Sequence, residues 1–123
     1  MVLEGQQPER ITLRLTKDEI GHWNNALNEV CNGISVANFQ AAIGMTRDEA
    51  AALLERVHVL EPDRSDVFLL GEALAVRNAL TAVLTELDPE EFHSRLGFTV
   101  EESRQMRNTL DAIIGQVRLV RSA

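Results

Sequence analysis

The order of apolar and polar residues predicts a chain built mainly from helices. An alternating stretch comes first, where Ile11, Leu13 and Leu15 are separated by polar residues, as in a strand with one buried face. A helical period follows over residues 17–32, and its apolar face holds Ile20, Trp23, Leu27, Val30 and Cys31. Capping signals and apolar spacing predict further helices at 36–43, 47–60, 71–86, 89–96 and 100–120. The segment SDVFLL, residues 65–70, fits either a short strand or the first turn of a helix.

The second half of the chain resembles the first. A shift of 53 residues aligns NALNEV, which begins at Asn25, with NALTAV, which begins at Asn78, and the match continues without a gap. Chance similarity between two amphipathic helical stretches is the alternative, but helical periodicity alone does not require the glycines and threonines to match. We therefore expect a tandem duplication, with repeats at about 10–61 and 65–114 and a helical extension at 115–123.

The predicted fold class is mainly α, with two tandem helical halves related by a pseudo-two-fold axis. Each half has about three helices and room for a short β-strand ahead of them. One domain over residues 1–123 is the default, because this length and an apolar content of 45% suffice for one core. Half a chain buries little apolar surface, so the two halves should share that core, with Phe39 and Phe92 in equivalent positions.

A short motif occurs in both halves and predicts a corner between two helices. It places a glycine, an apolar residue, a threonine and a glutamate in order: Gly44, Met45, Thr46 and Glu49 in the first half, and Gly97, Phe98, Thr99 and Glu102 in the second. Glycine ends a helix cheaply in the left-handed conformation, and the threonine and glutamate form a capping box for the next helix. The apolar residue is placed to pack on the following turn. No ligand is needed to explain the motif.

The same arrangement is used by helix-turn-helix proteins that read DNA. The fifth position of that motif must be small, but it is Gln40 in one half and His93 in the other. Acidic residues open the would-be recognition helices, which leaves Arg47, Arg104 and Arg107 as the plausible phosphate contacts. A helix-turn-helix nucleic-acid-binding regulator is therefore the second hypothesis, and nucleic acid is not the expected partner.

Each histidine follows a glutamate by three residues, in the pairs Glu19 and His22, Glu55 and His58, and Glu90 and His93. Helical bundles hold di-iron centres with such pairs. Helical projection, however, places His22 opposite the apolar face and the other two at its margins, so the histidines should lie at the surface or its boundary. A metal-binding helical bundle is the third hypothesis. We predict no metal ligand, no cofactor and no catalytic residue.

The net charge and the cysteine content limit the possible binding partners and the cellular compartment. The net charge of −7 should repel nucleic acid and anionic membranes. Cys31 is the only cysteine, which excludes an internal disulfide, favours a reducing compartment and suggests a small core residue rather than a nucleophile. There is no secretory signal pattern and no apolar run near the ~18 residues of a membrane span. We expect a cytoplasmic location and no membrane partner.

The leading functional hypothesis is a non-enzymatic protein-interaction protein of the adaptor or inhibitor type. No residue constellation specifies a reaction, and acidic pairs stand at two helix starts: Asp48 with Glu49, and Glu101 with Glu102. Such pairs would suit a basic partner protein. The sequence specifies neither that partner nor the oligomeric state, for which a homodimer is one option.

Overall fold

The computed structural model describes the backbone of residues 1–122 and the side chains of residues 1–118. The strands and α-helices follow in the order β1 (Val2–Gln7), β2 (Arg10–Arg14), α1 (Lys17–Asn28), α2 (Phe39–Ile43), α3 (Arg47–His58), β3 (Ser65–Leu69), α4 (Leu70–Glu86), α5 (Pro89–Leu96) and α6 (Val100–Ser122). A π-helical turn, Glu29–Gly33, continues α1. The strands form one antiparallel sheet in the order β1, β2, β3.

The sheet buries one face against the helices. Ile11 and Leu13 of β2 point inward beside Phe68 of β3, as the alternating pattern predicts. Residues 65–70 form both of the structures considered for them, a strand and the start of a helix, because β3 ends at Leu69 and α4 starts at the next residue. Strand β1 was not predicted, because Leu3 is its only inward apolar side chain and its sequence therefore shows no alternating pattern. The strand is defined by its backbone pairing with β2.

Helix α4 lies at the centre of the helical layer and packs against α1, α2 and α6. The predicted core position of Trp23 is confirmed: its side chain is fully buried and meets the ring of Phe68 edge-on, with centroids 5.2 Å apart. Helix α6 has 23 residues and is the longest described. Neither it nor any other helix within residues 1–122 combines the length and apolar character that crossing a bilayer requires.

The predicted fold class is wrong in its two pseudo-two-fold related halves. The chain is mainly α with a three-stranded sheet to which the segment before residue 61 supplies two strands and the rest supplies one. Helix α1 has 12 residues before its π-turn while α4 runs for 17 without interruption, and α3 has 12 residues where α6 has 23. Phe92 is buried but Phe39 only partly, so they are not equivalent core residues.

Both predicted corners are confirmed. Gly44 and Gly97 have φ of 96° and 79°, the left-handed values that favour glycine, and each ends a short helix. Across the molecule, the Asn25 side chain donates to the Leu96 carbonyl oxygen at 2.8 Å. The Asn78 amide likewise donates to the carbonyl oxygen of Ile43 at 2.9 Å. Each corner is therefore held by an asparagine from a longer helix.

The stretch between α1 and α2 differs from the expected helix at 36–43. Helix α2 begins only at Phe39, because Asn38 before it adopts a left-handed φ of 51°. The π-turn ends at Gly33, where an added Cβ would lie 2.5 Å from Glu29 Oε1. The missing side chain thus makes room for a carboxylate that is itself buried and bound by Arg95 at 2.5 Å.

Candidate interaction surface

The acidic helix ends proposed as a binding site are partly used by the fold. The Thr46 backbone N–H donates to Glu49 Oε1 at 3.0 Å, and that of Thr99 donates to Glu102 Oε1 at 2.9 Å. The threonine hydroxyls accept from the glutamate N–H groups in return, which completes both capping boxes. These backbone hydrogen bonds lower the pKa of both glutamates. Binding of a basic partner at these ends stays a prediction, with fewer free carboxylate oxygens than the sequence suggested.

Of the three arginines considered for DNA contact, Arg47 is bound within the molecule. Its guanidinium donates to the carbonyl oxygens of Val30, at 3.3 Å, and Cys31, at 2.9 Å, and lies 4.5 Å from the ring centroid of Phe39. It therefore satisfies backbone groups near the end of the π-turn. Cys31 is partly buried and packs against the core, and burial raises the pKa of its thiol. A protonated thiol is a poor nucleophile.

The other two arginines lie on the surface of α6. Arg104 pairs with Glu101 at 2.9 Å, and Arg107 donates weakly to Asn108 at 3.5 Å. The acidic pair Glu101 and Glu102 opens the same helix. Nucleic-acid binding through these corners stays a prediction, and the contacts around the three arginines do not favour it.

His22 contradicts the prediction that the histidines lie at the surface. Its side chain is 3% exposed, its Nε2 lies 2.6 Å from the hydroxyl of buried Ser103, and its ring stacks on Phe98 at 4.1 Å. Burial lowers the pKa of His22 to about 4, partly offset by the charge of Glu102. A helical projection did not reveal this, because Phe98 and Ser103, from the corner before α6 and its first turn, cover a part of α1 that lies away from its apolar face. His58 and His93 are exposed, as predicted.

A pocket of about 260 Å³ lies between α1 and α6 beside His22. Asp18, Glu19 and Glu102 line it together with the Phe98 ring. Both glutamates are engaged by capping boxes, and Ser103 is fully buried and so out of reach as a nucleophile. Within the described side chains, no group of three or more His, Cys, Asp or Glu residues is arranged to hold a metal ion. Among the polar groups at this pocket, the two glutamates and Ser103 are thus engaged by the fold.

A wider groove of about 730 Å³ runs between α3 and the start of α4. Its wall is largely apolar and includes Met45, Leu53 and Leu74. An ion pair crosses it, because the Arg56 guanidinium lies 3.0 Å from both carboxylate oxygens of Glu72. The groove is lined at one end by Leu69, the last residue of β3.

The outer face of the sheet carries three of the four exposed large apolar side chains among those described. Four large apolar side chains are exposed among those described: Val2, Val59, Val67 and Leu69, at 47%, 73%, 50% and 51%. All but Val59 lie on this face, because Val2 pairs with Arg14, Val67 with Thr12 and Leu69 with Arg10. Each of these three is about half exposed, whereas Ile11, Leu13 and Phe68 on the opposite face are buried.

The two edges of the sheet are protected against further strands. At the β3 edge, Arg56 Nη2 donates to the carbonyl oxygen of Val67, and the N–H of Leu69 donates to Glu72 at 2.7 Å. At the β1 edge, the register shifts between Leu3 and Gly5, which marks a β-bulge. Blocked groups and bulges are the usual means of preventing edge-to-edge association. The open part of the sheet is thus its face.

This face was not predicted from the sequence, because residues 65–70 fit either a strand or a helix and β1 was not predicted. The alternation of Val67, Phe68 and Leu69 was the available signal, but an all-apolar run does not show which side is covered. Comparison with other proteins adds no candidate ligand. No protein-family model matches the chain, and no curated protein or solved structure is significantly similar to it.

Proposed function

We propose that this chain is a non-enzymatic protein-interaction protein that binds its partner through the outer face of the sheet. One observation carries the proposal: of the four large apolar side chains exposed among those described, three are gathered on this face. Single exposed apolar residues are normal on any protein, whereas grouped ones mark binding surfaces.

The surroundings of the face favour the binding of a protein over the binding of a small molecule. The middle row of this open sheet face holds Gly5, Thr12 and Val67. Small-molecule sites are concave and enclose most of the ligand. The groove beside α3 adjoins the face at Leu69 and can extend the contact area. The apolar residues of the face lie on the outer strands, and arginines lie on the central strand, so the face combines the apolar and arginine side chains that are common in protein interfaces.

Conservative substitutions on the face test the proposal. The V2T/V67T/L69T variant keeps side chains suited to strands but removes apolar contact area. Val59→Thr is the matched control, because Val59 is the exposed apolar residue that lies off the sheet, at the end of α3. Each tagged full-length chain would be used to retain proteins from a lysate of the native host, after equal folding is verified by circular dichroism.

We expect one or more proteins to be retained by the natural chain and by Val59→Thr but lost with the triple variant. Mass spectrometry of the eluates identifies them. Retention of the same proteins by all three chains would contradict the proposal, since the face would then contribute nothing to binding.

A further inference from the structure

The charges on the outer face differ from those of the chain as a whole. Its two basic side chains, Arg10 and Arg14, both belong to the central strand β2, and its acidic side chain is Glu4 of the β1 bulge. Glu4 is held within the face, since its carboxylate pairs with Arg14 at 3.0 Å and accepts from the hydroxyl of Ser65. The face therefore carries one net positive charge on a chain whose net charge is −7.

We infer that the outer face binds an amphipathic helix with acidic flanks, presented by a partner protein; this rests on the proposed function. The apolar stripe of the helix would lie over Val67, Leu69 and Val2. Its carboxylates would meet Arg10 and Arg14. Among the described side chains, none forms an ion pair with Arg10.

The dimensions of the face fit a helix. Three strands spaced by ~4.8 Å give a width of about 10 Å between the outer strands, close to the ~10 Å diameter of a helix. The 5 residues of β2 extend for about 16 Å, which roughly 11 helical residues would cover. An added strand is not the expected occupant, because the edges at Val67 and at the β1 bulge are protected.

A second copy of the chain does not fit the charges. Packing two such faces against each other requires a two-fold axis in the plane between them. An axis parallel to the strands places each arginine of β2 near its own copy, and a perpendicular axis places Arg10 near Arg14. Both of these arrangements bring like charges together, which disfavours self-association with the strands aligned.

Two synthetic peptides of 14 residues provide the test. Both carry the same leucine stripe with helical spacing; one has glutamates on both flanks of the stripe and the other has lysines. Each is titrated into the isotope-labelled full-length chain at low salt, and backbone amide shifts are followed by NMR. We expect the acidic peptide to shift amides of residues 10–14 and 65–69 and to bind at least fivefold more tightly than the basic one.

Charge reversal then identifies the source of the preference. Arg10→Glu should reduce or invert the preference for the acidic peptide. Arg104→Glu is the matched control, because it changes the net charge equally on a surface helix away from the sheet, and it should keep the preference. The V67T/L69T variant should weaken the binding of both peptides, whereas Val59→Thr should not.

Several results would overturn the inference. Equal or tighter binding of the basic peptide at the face rejects the acidic partner but leaves the proposed function standing. Failure of both peptides to shift the face amides rejects the helix as occupant. A concentration-dependent increase in mass that V67T/L69T abolishes identifies a second copy instead. The proposed function fails separately, when the triple threonine variant retains every protein that the natural chain retains.

Discussion

Acid should destabilise this protein through His22, because the native state buries this imidazole without a charge. In the unfolded chain the ring takes up a proton at its ordinary pKa of 6.5, while in the native state the pKa is about 4. Between these values the unfolded state binds more protons, so the free energy of unfolding falls as the pH falls. The loss should begin near pH 6.5 and level off below about pH 4.

The structure gives the size of the effect. A change in pKa from 6.5 to about 4, at about 1.4 kcal/mol per pH unit, corresponds to an upper limit of about 3 kcal/mol. The pocket beside the ring admits water, and Glu102 favours the charged ring, so we expect about 2 kcal/mol. In the native state, a protonated His22 ring would still lie against the hydroxyl of Ser103 and the ring face of Phe98.

Urea unfolding measured at intervals from pH 7 to pH 4 tests this reasoning. His22→Gln removes the titrating ring and keeps a nitrogen able to meet Ser103, so its stability should fall by about 2 kcal/mol less than that of the natural chain over this range. His58→Gln is the matched control, because His58 is exposed at the end of α3, and it should follow the natural chain. The reasoning is refuted if His22→Gln and the natural chain lose the same stability, or if NMR gives His22 a midpoint near 6.5.

Three further predictions address the fold and the second hypothesis. Gly33→Ala should destabilise the chain by more than about 1 kcal/mol in thermal unfolding, because the added Cβ would collide with the Glu29 carboxylate. Gly115→Ala is the control and should not destabilise the chain, because a Cβ added there meets nothing within 4 Å. A stable Gly33→Ala chain would show that the turn can relax. Asn25→Ala should cost about 1–2 kcal/mol of unfolding free energy in urea, since the Leu96 carbonyl loses its donor; an unchanged midpoint would mean that water replaces the amide. The natural chain should not shift genomic DNA fragments in a low-salt mobility assay, and a shift would favour the nucleic-acid hypothesis.

The corners could be predicted from the sequence because their determinants are local. A left-handed glycine, a threonine cap and a glutamate three residues later act within one turn of the chain. Thr46 with Glu49 and Thr99 with Glu102 therefore form the expected hydrogen bonds. The sequence match at a shift of 53 residues suggested two similar halves, and that prediction failed because the lengths and partners of the helices depend on distant contacts.

The features that the sequence did not reveal depend on packing between distant segments. His22 looks exposed on a helical projection of α1, and only the docking of α6 brings Ser103 and Phe98 onto it. Strand β1 has almost no alternation of its own and exists through pairing with β2. The outer face of the sheet combines residues from three strands, so no local pattern could show that it is left uncovered.

The protected edges and the open face of the sheet are best understood together. An apolar surface that must stay available to a partner is also a surface through which copies of the chain can associate. Arg56 and the β1 bulge block the edges, and Arg10 and Arg14 on the central strand oppose stacking of two faces. These same arginines attract carboxylates. If removing the positive charge at residue 10 both weakened binding of the acidic helix and promoted self-association, one residue would be shown to select the partner and to exclude the second copy.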